Sequence, residues 1–133
     1  MAETFGFELV SPERLLLAVQ AEQVVVPGEA GDFGVLPGHA PVISTLRNGI
    51  IEVTGADGKV ERIFVAGGFA EVAGDKLTVL AEEAVPVGKI DRGKTEAALK
   101  DAREDAEDAR DEHARARAQA KADKLAAMLD AAA

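Results

Sequence analysis

Few residues in this chain have the types and spacing that catalysis requires. Its two histidines, His39 and His113, are widely separated in sequence, and neither belongs to a paired metal-ligand spacing such as His-Glu-x-x-His. Serine occurs only as Ser11 and Ser44, and neither lies in Gly-x-Ser-x-Gly, the strained turn that exposes a nucleophile. A triad would have to be assembled from Ser44 as nucleophile, His39 as base and Asp32 as orienting acid. Glu82 and Glu83 are adjacent, so on a strand they face opposite sides and form no carboxylate pair. Gly28, Gly31 and Gly34 loosely resemble a phosphate loop, but the chain contains no Gly-x-x-x-x-Gly-Lys-Ser/Thr and no helix is expected to open there. Cysteine is absent, which removes disulfides and thiolate metal sites and suits a reducing compartment. These residues point to a binding or coupling module, with no catalytic residue, metal or cofactor expected.

The elements that would position such residues can be read from composition. Gly28 to Pro41 concentrates glycine and proline, so it is expected as a rigid, turned surface, with His39 bonding locally or touching a partner. All 13 glycines, 5 prolines and 5 phenylalanines lie at or before Gly93, and no valine or isoleucine follows Ile90. The chain therefore divides into domains at 1–90 and 91–133. In the first, Phe5, Phe7 and Leu9 alternate with Gly6, Glu8 and Val10, and further short runs lie at 15–19, 24–26, 49–54, 60–66, 69–72 and 77–80. Ala56-Asp57-Gly58-Lys59 marks a tight hairpin. This many short strands between turns predicts a β-sandwich or flattened barrel.

Residues 94–133 are rich in alanine and charge, with Thr95 the only β-branched residue, which is a helix-forming composition. Leu99, Ala102, Ala106 and Ala109 form one thin apolar stripe; Ala114, Ala118, Ala122, Leu125 and Leu129 form another. A single unbroken helix would run about 60 Å with too little apolar surface to hold it, so two antiparallel helices are predicted. The break is expected between Ala106 and His113, within the acidic block Asp101 to Glu112. Basic Arg115, Arg117, Lys121 and Lys124 follow that block, forming either a solvated surface or a face that docks on an acidic partner.

A net charge of −9 over 133 residues argues against general nucleic-acid binding, which needs a basic surface. No apolar run approaches the ~20 residues that span a bilayer, and Met1-Ala2-Glu3-Thr4 carries no basic signal region. A soluble, cytosol-facing chain without direct membrane insertion is expected.

Three segments in order carry a family resemblance: 7–13 (FELVSPE), 34–41 (GVLPGHAP), and 64–72 (FVAGGFAEV) followed by 78–81 (TVLA). With the change of composition near residue 93, the chain resembles, over essentially its whole length, the epsilon subunits of bacterial F-type ATP synthases, whose mitochondrial counterpart is called delta. The resemblance implies an α+β chain, a ten-stranded β-sandwich followed by a helical hairpin. It also implies a non-catalytic rotor subunit of the central stalk, at the cytoplasmic face of the bacterial inner membrane, serving proton-driven ATP synthesis. Its partners would be the gamma subunit, the c-ring and, transiently, the beta and alpha subunits of the catalytic head. Asp32 and His39 match family contacts to the c-ring. Arg115, Arg117, Lys121 and Lys124 are the counterparts of basic residues that obstruct ATP hydrolysis when the hairpin extends. Some members bind ATP through Ile/Leu-Asp-x-x-Arg-Ala. Here residues 90–95 read Ile-Asp-Arg-Gly-Lys-Thr, which leaves Asp91 and Lys94 as the nucleotide candidates and replaces the arginine fork with a lysine.

Overall fold

The computed structural model describes residues 3–132; Met1, Ala2 and Ala133, the outer ends of the two expected domains, lie outside the described residues. The chain forms two compact units that divide between Pro86 and Val87.

In the first unit, the strands are β1 (Phe5–Val10), β2 (Leu15–Gly28), β3 (Gly31–Val35), β4 (Val42–Thr45), β5 (Gly49–Gly55), β6 (Val60–Ala73) and β7 (Lys76–Pro86). Alternation decides which side chains enter the core: Phe5, Phe7 and Leu9 of β1 are buried, as are Leu77 and Val79 of β7, while their neighbours in sequence face out. Val24, Val26, Ile51, Val53 and Val65 complete much of the same core.

Among the described residues the ten expected strands are seven, because β2, β6 and β7 are long and β2 and β6 each join runs expected as separate strands. The first half of β2 pairs with β1 and the second half with β5 and β3. Likewise β6 pairs with β5 through its first half and with β4 through its second. Short apolar runs separated by polar or glycine residues look like separate strands in sequence, although the backbone ladder is continuous. The sandwich class is as expected, and strands β1, β7, β6, β5 and β2 hydrogen-bond in a closed circuit. Closure gives each of these five strands a hydrogen-bonded neighbour on both sides over at least part of its length.

Gly67 and Gly68 fall between the half of β6 that pairs with β5 and the half that pairs with β4. Gly68 has φ of 107°, and a Cβ added there would stand 1.8 Å from the Leu80 carbonyl oxygen. Only glycine fits that conformation and that approach. The hairpin predicted at 56–59 joins β5 to β6, with the Gly55 amide donating to the Lys59 carbonyl at 2.9 Å and the Asp57 carboxylate accepting from the Lys59 amide. The region 28–41 departs in part from the expected turned surface. It is turned, as expected, but it also contains β3, because ladder bonds to β2 hold Gly31–Val35 extended despite its two glycines.

The second unit consists of a short 3-10 turn at Val87–Lys89 followed by α1 (Arg92–Asp108) and α2 (Glu112–Ala132). The break at residues 109–111 falls inside the predicted window. Ala109 leaves helical geometry with φ −63° and ψ 134°, and the Asp111 carboxylate accepts from the Ala114 amide at 2.7 Å, capping α2. Leu99, Ala102, Ala122 and Leu125 form the shared core of the hairpin. Alanines at this seam let the two backbones approach, and Met128 and Thr95 fill its open end.

Candidate functional site

The turned region is built around the β2–β3 hairpin, in which Gly28 faces Gly31 and Pro27 faces Asp32. Glu29 and Ala30 form its exposed tip, and the Glu29 amide donates to the Thr45 carbonyl at 2.8 Å. Arg47, in the connection from β4 to β5, secures this tip. Its amide donates to the Pro27 carbonyl at 2.9 Å, its Nη1 donates to the Gly28 carbonyl at 2.7 Å, and its Nη2 pairs with the Asp32 carboxylate. Both partners of the ion pair stay substantially exposed, so its direct contribution to stability is at the low end, ~0–1 kcal/mol.

His39 lies on a turn closed by its own amide donating to Leu36 at 3.1 Å. Its Nδ1–H donates to the Ala40 carbonyl at 2.7 Å, which ties the ring to its own loop. The ring packs at a tilt on Phe33, centroids 6.5 Å apart. Asp32 and Phe33 are consecutive on β3, so the Asp32–Arg47 pair and the Phe33–His39 pair occupy opposite faces of that strand. Both residues expected at the ring contact belong to this region, yet each has its own local partner. Ser44 donates to the Thr45 carbonyl. The recorded bonds of Ser44, His39 and Asp32 therefore run to other groups, and no triad is assembled from them.

A second surface was not anticipated from the sequence. Register places Thr45, Phe69, Leu80, Val10 and Leu15 side by side across β4, β6, β7, β1 and β2, on the outer face. Phe69 is 44% exposed and Leu15 55% exposed, while Ile43, diagonal to Phe69, is 69% exposed. The available signal was that outward positions of the alternation carry Val10, Phe69 and Leu80 where a solvated sheet would carry polar residues. Pairing register was needed to show that they are neighbours.

On α2, Arg117, Lys121 and Lys124 recur at steps of four and three and share one flank. Arg115 lies around the helix from them, and its Nη1 donates to Glu112 at 2.7 Å. Asp91 is the N-cap of α1, its carboxylate accepting from the Lys94 amide at 3.0 Å. The two nucleotide candidates are thus joined to each other through a helix cap. Among the described residues, no helix is long and apolar enough to cross a membrane.

The family model for the delta/epsilon chain of ATP synthase, β-sandwich domain, matches residues 4–87. The chain belongs to the ATP synthase delta/epsilon family. The ATP synthase epsilon chain of Maricaulis maris is 55% identical over 128 residues, covering 96% of each chain. That of Parvibaculum lavamentivorans is 50% identical over 125 residues, covering 94% of this chain and 95% of its own. Among solved structures, a chain of the Euglena gracilis mitochondrial ATP synthase, in an assembly of OSCP, F1 and c-ring, superposes with a TM-score of 0.83 at 27% identity. That match covers 96% of this chain and 81% of the other. A chain from the central stalk and c-ring of the Tetrahymena thermophila enzyme shares the fold, with a TM-score of 0.62 at 10% identity. As an epsilon-type member, the chain is a non-catalytic subunit of its complex.

Proposed function

We propose that this chain is a rotor subunit of the central stalk, joining the gamma subunit to the c-ring of a proton-translocating ATP synthase at the cytoplasmic face of the bacterial inner membrane. The observation that carries this reading is the outward apolar row Leu15, Val10, Leu80 and Phe69, exposed at Leu15 and Phe69 and half-buried between them, with exposed Ile43 adjacent. Complete burial of a large apolar side chain contributes about 1.5–3 kcal/mol, whereas an exposed ion pair contributes ~0–1 kcal/mol. In this reading the row therefore supplies most of the hold on gamma, and the tied turn around Asp32 and His39 supplies fit against the ring. Phe69→Glu tests the division of labour. The variant is expected to fold, because residue 69 faces outward, and to lose co-purification with gamma. Undiminished gamma binding by a folded variant would overturn the assignment of this surface.

A regulatory role is supported by a separate observation, the shared flank of Arg117, Lys121 and Lys124 on a hairpin with a thin core. We assign this flank to contact with an acidic segment of the catalytic head when the hairpin opens. Removal of the chain beyond Asp91 is expected to raise the ATP hydrolysis rate of the assembled complex; an unchanged rate counts against inhibition.

A further inference from the structure

Arg47 answers to no motif in the sequence, yet it is the residue on which the β2–β3 tip converges. Three of its donors reach Pro27, Gly28 and Asp32. We propose that Arg47 is a positioning residue for the ring-facing turn, holding the Asp32 carboxylate in the orientation in which the partner meets it. The inference rests on the reading of this turn as the contact to the c-ring.

The physical argument concerns the freedom of Asp32. Its side chain is 58% exposed, and an exposed carboxylate near the end of a short hairpin samples several rotamers unless something holds it. The planar guanidinium engages the Gly28 carbonyl through Nη1 and Asp32 Oδ1 through Nη2, so one rigid group fixes a backbone acceptor and the side chain together. The Arg47 backbone is itself anchored, its amide bonded to Pro27 and its neighbour Leu46 buried and donating to Gly68 at 3.0 Å. Asp32 Oδ1 is thus engaged from within the chain, and the remaining carboxylate oxygen is the one assigned to the partner. Ordering the carboxylate before assembly lowers the entropy lost when the joint forms.

The test compares the full-length chain with R47M, R47K, D32N and the R47M/D32N pair, measuring affinity for a gamma–c-ring assembly and amide exchange at Glu29. R47M and D32N are each expected to weaken affinity about fivefold, and the double variant to be no weaker than about fivefold, because both changes remove one contact. R47K, which reaches one acceptor at a time, is expected between wild type and R47M. Amide exchange at Glu29 is expected to quicken in R47M while the β1 and β7 core amides keep their protection. Unchanged affinity in R47M alongside weakening in D32N overturns the role of Arg47 and leaves the ring reading intact. No effect of D32N overturns the ring reading itself. Losses that multiply in the double variant, to roughly 25-fold, overturn positioning, because Arg47 would then contact the partner directly. Should R47M fail to fold, R47K decides the matter: affinity equal to wild type with unaltered Glu29 exchange overturns the proposal.

Discussion

The Thr95 hydroxyl on α1 lies 3.8 Å from the Met128 sulfur on α2 and donates to the Asp91 carbonyl at 2.7 Å. A buried polar group is thus satisfied at the start of its own helix. Thr95→Val keeps the shape and loses the hydrogen bond, so it is expected to cost about 1 kcal/mol. Met128→Ala removes core volume and is expected to cost about 2–5 kcal/mol of hairpin stability. Helical circular dichroism through thermal unfolding of the full chain measures both; equal effects would mean that the seam is not packed at Met128.

Capping makes a separate prediction for Asp91. Asp91→Ala is expected to destabilise α1 by about 1 kcal/mol, visible as faster amide exchange at Lys94. Because the same carboxylate already serves the helix, calorimetry of the full chain at millimolar ATP is expected to show no heat of binding. Saturable heat that vanishes in the Asp91 variant would establish nucleotide sensing instead.

Glycine substitutions separate backbone approach from backbone conformation. Gly68→Ala drives a methyl group into the Leu80 carbonyl and is expected to cost about 3 kcal/mol or more. Gly58→Ala, at φ of 80° with nothing within 4 Å of the new atom, meets conformational strain alone, about 1 kcal/mol. Urea denaturation of the two variants should rank them in that order.

Among the basic residues of α2, geometry divides the four. Neutralising Arg117, Lys121 and Lys124 together is expected to relieve any inhibition of hydrolysis to the extent that truncation after Asp91 does. Neutralising Arg115 alone releases Glu112 and is expected to leave the hydrolysis rate unchanged. An effect of Arg115 equal to that of the other three would place the functional face elsewhere on α2.

What could be read in advance follows from how local each signal is. The alternation at Phe5, Phe7 and Leu9, the Asp57-Gly58 turn and the stripe Leu99, Ala102 and Ala106 are set by neighbours a few residues apart and appear where expected; Ala109, the expected end of that stripe, instead leaves the helix at its C-cap. Asp32 and His39 are singled out in advance as expected ring contacts only by the family resemblance. Arg47 was not legible in the sequence, since its partners Gly28 and Asp32 lie 19 and 15 residues away and meet it only after β2 has paired with β3 and Leu46 has bridged to Gly28. The apolar row has the same character: Phe69, Leu80 and Val10 become one surface through register, which no window along the chain contains.

The circuit closed by β1 also has a history in time. Its parallel partner β7 spans Lys76–Pro86, so the first strand synthesised waits for the last before its second edge is bonded. On a ribosome, the growing sandwich holds an open hydrogen-bonding edge through most of its synthesis, and such non-local closure is intrinsically slow. The helical hairpin is local and leaves the ribosome afterward, so completion of β7, rather than helix formation, is expected to set the pace at which newly made chains become fit for assembly.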